Sequence, residues 1–186
     1  MPPLSRLAAR RDHLVVCGDD TLAARVIEEL TTTYGEEVTV LLRSREQDQG
    51  PRIARLPKAR IIERADLDAS AFTAAGVQSA RALALLRQDD LGNFHAALRA
   101  QELNPELRLV VAIFNTSLGE RIRTFFRDCA VLSGSSMSAP SFVAAALGEP
   151  APSHIRVAGR TLFVARRTEA TTHQADAHAA LDPQRA

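Results

Sequence analysis

Short apolar runs alternate with helical segments along most of this chain, and the runs lack the every-second-residue polarity of a half-exposed strand. The first run, HLVVC at 13–17, ends at Gly18. Residues 21–34 follow with Leu22, Val26, Ile27 and Leu30 at helical spacing, Glu28 and Glu29 opposite them, and Gly35 as a stop. VTVLL (38–42), ARIIE (59–63), ARALALL (80–86), LRLVVAIF (107–114) and a short run at 129–132 complete six predicted strands. Gly50-Pro51 reads as a breaker, with a short helix around 53–56. Further helices are expected at 68–75, closed by Gly76, and at 90–103, with Leu91, Phe94, Leu98 and Leu103 inward. Two more are expected at 118–126, with Leu118, Ile122, Phe125 and Phe126 on one side, and at 138–147, with Ser138 as its N-cap.

Apolar strands separated by helices require a parallel sheet buried on both faces. Right-handed crossovers make it a doubly wound, Rossmann-like α/β sheet of about six strands in the order 3-2-1-4-5-6. The expected organisation is an N-terminal arm at 1–12 and one such domain at 13–148. A linker with a hairpin follows at 149–167, then an aperiodic tail at 168–186 expected to be disordered.

The totals narrow the partners. Of 186 residues, 46% are hydrophobic and 24% charged, which suits a soluble globular protein. A net charge of +1 gives no electrostatic case for nucleic acid. No apolar run reaches bilayer length, and MPPLSRLAARRDH has no apolar signal core. Cys17 and Cys129 are too few for a disulfide framework and read as buried thiols in a reducing compartment, so the chain is expected to be cytoplasmic or to face the cytoplasm.

Strand, glycine, helix is the geometry of a dinucleotide site. The loop here is Gly18-Asp19-Asp20-Thr21-Leu22-Ala23. Against G-x-G-x-x-G/A it keeps the first glycine and the final alanine, but Asp20 stands at the middle glycine, where backbone must approach a pyrophosphate. A carboxylate there adds bulk and negative charge. Asp19 or Asp20 instead supplies the anion from within, one of them capping the helix. The second strand ends Leu42-Arg43-Ser44-Arg45, with no acid for ribose hydroxyls. Arg43 and Arg45 are either solvated or meet a phosphorylated ribose or other anion. Asp89 and Asp90 follow strand four at the sheet's carboxyl edge, as helix caps or as contacts to a ribose or adenine.

Catalytic constellations are scarce. His95, beside Phe94, reads as a surface or packing histidine rather than an acid or base. His13 precedes strand one, His154 precedes the hairpin, and His173 and His178 lie five apart, off a common helical face for metal. Serines 133–138 (SGSSMS) form no G-x-S-x-G elbow.

One stretch carries a resemblance. Residues 75–114 read AGVQSARALALLRQDDLGNFHAALRAQELNPELRLVVAIF. Ala75-Gly76-Val77 leads into an alanine-containing strand, Asp90 and Asn93 form an Asp-x-x-Asn pair opening a helix, and Leu103-Asn104-Pro105 ends it. With LVVCGDD at strand one, this resembles the RCK (TrkA-N) domains of potassium channels and transporters over about 13–148, and 115–148 looks like an actinobacterial channel-type branch. The resemblance implies a cytoplasmic, non-enzymatic regulatory or assembly domain. Its partners would be a second copy or higher oligomer and membrane-spanning pore segments, and it would associate through the helices after strands four, five and six. It also implies a cofactor, NAD(H) or an adenine nucleotide such as ADP or ATP, against Gly18, Asp19, Asp20, Thr21, Leu22, Arg43, Asp66, Asp90 and Asn93. The family's Gly-Asp after strand three is displaced here to Asp66, and its strand-five arginine is Ala112. The competing readings are a small NAD(P)-dependent oxidoreductase and a ligand-free assembly scaffold.

Overall fold

A computed structural model describes residues 13–148 and two short strands at 153–157 and 160–164. The expected arm, the linker at 149–152, the tail and both tail histidines lie outside the described residues. The chain divides into two compact units, Met1–Met137 and Ser138–Ala186.

The first unit is built on a six-stranded sheet of β1 (Leu14–Cys17), β2 (Val38–Leu42), β3 (Ala59–Glu63), β4 (Ala82–Leu85), β5 (Arg108–Ala112) and β6 (Cys129–Leu132). The order is β3-β2-β1-β4-β5-β6, every pair parallel, as expected. β1 lies at the centre, paired with β2 on one side and β4 on the other, so the strand order reverses beside it and a crevice forms at the carboxyl edge.

Alternate strand residues feed two cores. Val15, Cys17, Leu41, Leu83 and Leu85 pack on one face under α3 (Ala69–Ala75), α4 (Asp90–Leu103) and α5 (Thr116–Phe125). Val16, Val40 and Leu42 pack on the other under α1 (Thr21–Glu28) and α2 (Gly50–Ile53). Both faces are covered, which explains the absence of alternation in the strands.

Several expectations about the helices are corrected. Residues 21–34 are not one regular helix: α1 passes into a π-helical turn at Glu29–Thr33. Thr31 and Thr32 donate their hydroxyls to the carbonyls of Ile27 (2.8 Å) and Glu28 (2.6 Å), loosening the ladder, and Gly35 closes it at φ 67°. Leu22 is half exposed, because Ala23, Ala24 and Ile27 form the buried stripe. Gly50-Pro51 opens α2 rather than breaking the chain, with proline in the first turn where no amide partner is needed. On α4 the buried side is Asn93, Ala96, Ala97 and Ala100, while Leu91 and Leu98 are exposed. Small side chains let this helix sit close to the sheet, and apolar residues around its whole circumference hid the true face from periodicity. Phe125 is likewise exposed, whereas Ile122 and Phe126 are buried. The last helix, α6, spans Gly134–Leu147, so Ser138 is interior to it and not its cap. β7 (Ser153–Val157) and β8 (Arg160–Val164) form the expected antiparallel hairpin.

Candidate functional site

The carboxyl ends of β1 and β4 and the turn after β2 enclose a cleft of about 430 Å³. Gly18 carries the chain out of β1 at φ 154°, its amide bonded to the carbonyl of Leu41 (3.0 Å). A Cβ at this position would lie 3.0 Å from that of Ala23 and 3.4 Å from that of Leu86. Gly18 is therefore required by the packing of the loop against α1 and β4, whether or not a ligand is present.

The next two residues are committed within the protein. Asp19 is buried, and its carboxylate takes a two-pronged ion pair from Arg43: Nε to Oδ2 at 2.9 Å and Nη2 to Oδ1 at 3.1 Å. Burial would raise this carboxyl, but the hydrogen bond and charge of Arg43, with the more distant charge of Arg87, outweigh it and hold Asp19 below its ordinary 3.8. The same pair raises the Arg43 guanidinium. Asp48 adds a second carboxylate 3.6 Å from Arg43, and the Asp19 carbonyl accepts from the Gln49 amide at 3.0 Å. Gly50 makes this tight fold possible, since a Cβ there would lie 2.3 Å from the Ser44 carbonyl oxygen.

Asp20 is the N-cap of α1. Its Oδ1 accepts from the Ala23 amide (2.8 Å) and its Oδ2 from Nε2 of Gln88 (3.1 Å). An internal carboxylate thus occupies the helix-terminal amide that an incoming phosphate would use. Thr21 and Leu22 open the helix and are exposed.

Asp90 and Asn93 are bonded to backbone. Asp90 accepts from the amides of Phe114 (2.8 Å) and Asn115 (2.9 Å), which fixes the turn after β5. Asn115 in turn caps α5 through the Leu118 amide (3.1 Å). Asn93, fully buried, donates from Nδ2 to the carbonyls of Arg87 (2.7 Å) and Ala112 (3.0 Å), tying the ends of β4 and β5 together. Asp89 caps α4 through the Gly92 amide at 3.0 Å.

Asp66 lines a neighbouring cleft of about 490 Å³ on the other side of Arg87. Sequence reading missed Arg87, which borders both cavities. Its Nη1 and Nη2 donate to the carbonyls of Ala65 (2.8 Å) and Arg64 (3.1 Å), while its buried Nε has no hydrogen-bond partner. Nothing in the local pattern RQDD distinguishes it from a surface arginine; only the folded sheet brings it to the β3 turn. Gln88 and Asp48 were missed for the same reason.

The remaining candidates are structural. His13 is buried with Nε2 2.8 Å from the Ala75 carbonyl oxygen, and His95 is exposed. Arg45 pairs with Glu63 at 3.0 Å. Burial pushes the Cys17 thiol up to about 12 and that of Cys129 to about 11, so neither presents a thiolate near neutral pH. No group of metal-ligating side chains occurs among the described residues, nor any helix long and apolar enough to cross a membrane.

A parallel doubly wound sheet with a crevice at its switch point, closed by a helix N-terminus, defines the nucleotide-cleft class of α/β domains. Within that class the model of the TrkA-N domain matches residues 14–131, and the chain belongs to this family. It is 29% identical over 120 residues to the voltage-gated potassium channel Kch of Escherichia coli, an alignment covering 64% of this chain and 28% of the channel. The chain therefore corresponds to under a third of that relative's length. Among solved structures it resembles the TrkA-N domain of the inner membrane protein ybaL from Escherichia coli, with a TM-score of 0.62 and 15% identity over 73% of this chain and 96% of that one. It also resembles the GsuK channel bound to NAD, with a TM-score of 0.53 and 16% identity over 64% of this chain and 21% of that one.

Proposed function

We propose that this chain is a cytoplasmic regulatory and assembly module of a potassium channel or transporter, without catalytic activity of its own, working as a dimer or larger oligomer. NAD(H) or an adenine nucleotide is its ligand, held at the cleft between Asp20, Arg43 and the end of β4. The observation that carries this reading is the state of the cleft's charged groups. Asp19 and Arg43 are bonded to each other, and Asp20 to the Ala23 amide and the Gln88 side chain, an arrangement suited to holding a loop in one of two conformations rather than to moving a proton. The relatives support it: one is a potassium channel, and another is a channel with NAD bound.

The cleft carries four carboxylates, Asp19, Asp20, Asp48 and Asp89, against two guanidiniums. A pyrophosphate entering it must displace internal anions, so binding is expected to be weak and to report on the conformation of the 43–50 loop. Self-association is assigned to the helices after strands four, five and six, where Leu91 and Leu98 on α4, Phe125 on α5 and Phe142 on α6 are exposed.

Light scattering with and without NAD, NADH, ADP and ATP, alongside melting curves, tests the reading. The expected result is a dimer or larger species and a melting temperature raised by at least one nucleotide. A monomer unshifted by all four at millimolar concentration overturns it, and turnover of NAD(P)H with a small substrate would favour the oxidoreductase.

A further inference from the structure

We infer that Arg45, with Arg64, closes the free edge of β3 to a strand from a second copy of the chain, so that this sheet cannot extend into a larger one. The inference rests neither on nucleotide binding nor on the helix contacts proposed above. An open six-stranded sheet has two margins, here β3 and β6, and a marginal strand offers backbone amides and carbonyls to any strand that approaches. β3 is suited to such pairing. ARIIE holds two adjacent isoleucines, contains neither glycine nor proline, and leaves every residue at least partly exposed.

The ladder fixes which groups face outward. In a parallel pair, alternate residues direct both backbone groups to the same neighbour. The Val38 amide bonds to the Lys58 carbonyl and the Arg64 amide to the Leu42 carbonyl, each through the ladder to β2. Residues 60 and 62 therefore face β2, and Ala59, Ile61 and Glu63 face away from the sheet.

Two of these three outward carbonyls are taken by guanidiniums. Arg45 donates from Nη2 to the Ile61 carbonyl at 3.0 Å, and Arg64 donates from Nη1 to the Glu63 carbonyl at 2.8 Å. Arg45 is held in place by the same strand: its Nε lies 3.0 Å from Oε1 of Glu63, and its backbone amide donates to Oε2 at 3.3 Å. A strand docking here must displace Arg45 from a carbonyl and a carboxylate together, and must bury a charge along the line where its own amides would bond. Arg45 and Glu63 are each about half exposed, so their pairing adds little to the stability of a single chain. Its consequence lies in what it keeps off the edge.

The test is sedimentation velocity of the whole chain over a concentration series, with amide hydrogen exchange locating any new contact and melting curves checking the fold. The double variant Arg45→Ala, Arg64→Ala is expected to melt close to wild type. It is also expected to form larger species at concentrations at least about tenfold lower than wild type does. Exchange at the outward amides of Ile61 and Glu63 should slow in those species. The double variant Arg25→Ala, Arg81→Ala removes the same charge from two other exposed ion pairs and is expected to sediment as wild type does. Unchanged sedimentation of the Arg45, Arg64 variant would overturn the inference. So would equal association of the Arg25, Arg81 variant, or new protection confined to the helices after strands four, five and six. Absence of nucleotide binding, or of association through those helices, would leave it standing.

Discussion

The carboxylate of Asp19 and the guanidinium of Arg43 join the exits of two adjacent parallel strands, 24 residues apart in sequence, through two hydrogen bonds of 2.9 and 3.1 Å. The pair has one buried end and one half in solvent, with side-chain exposures of 6% for Asp19 and 58% for Arg43. It fills the place where a Rossmann-type site would have a free strand-two tip to receive a ribose, and so couples the first crossover to the 43–50 loop.

Protonating Asp19 breaks that coupling. The folded-state carboxyl lies below its ordinary 3.8, so the contribution of the pair is fully present above that value and is lost as pH falls through the lower, folded one. Asp19→Asn is expected to destabilise the chain at neutral pH by about 1–2 kcal/mol, the upper end discounted because Arg43 is more than half solvated. The deficit should shrink once the pH drops below 3.8. Urea unfolding of both proteins across pH measures it, and a deficit constant with pH would show that the charge is not the cause.

Asp20→Gly separates the cap from the anion. Glycine at an N-cap costs only a few tenths of a kcal/mol, so the fold should persist with a small loss of stability. The Ala23 amide and Gln88 are then released for an incoming ligand, and bulk and charge leave the position nearest a pyrophosphate. Dinucleotide affinity is expected to rise. Titration with NAD is the measurement, and an unchanged or weaker dissociation constant would refute the role given to this carboxylate.

What could be read before folding follows from the range of each interaction. The strand order is a consequence of apolar runs, crossover handedness and a glycine after β1, all local or generic signals. The Asp20 cap is likewise local, three residues from its amide. Arg43 was legible as a cation at a strand tip, but its partner depends on β1 and β2 being neighbours. Asp90 and Asn93 were legible as a pair and not as a clamp, because their partners stand on the turn after β5. Arg87 was illegible: its significance lies in carbonyls 22 and 23 residues away and in a cavity no linear pattern describes. On α4 the leucines dominated the periodicity, while Ala96, Ala97 and Ala100 made the contact.

The clamp role has its own consequence. Asn93→Ala leaves the carbonyls of Arg87 and Ala112 without their side-chain donor in a fully buried setting. The cost expected is about 2–3 kcal/mol. Asn93→Asp should be at least as damaging, since a buried carboxylate would face two carbonyl oxygens. Chemical denaturation measures both, and a loss below about half a kcal/mol for the alanine variant would mean that the β4 and β5 ends are held together by the ladder alone.

The exposed ring of Phe125 tests assembly without disturbing the core. Its centroid is 5.7 Å from that of Phe94, which also touches the buried Phe126 at 6.1 Å, so the three rings form a cluster with one open side. Phe125 is 64% exposed, and Leu91 on α4 and Phe114 in the turn before α5 are exposed as well. An aromatic in that setting is a typical interface anchor, and truncating one costs an association about 2 kcal/mol or more. Phe125→Ser is expected to weaken self-association at least about tenfold and to change monomer stability little, because the ring is not buried within one chain. Sedimentation velocity over a concentration series measures the first and denaturation of the dilute protein the second. Unaltered sedimentation would place the contact elsewhere, and a large fall in monomer stability would show that Phe125 belongs to the core instead.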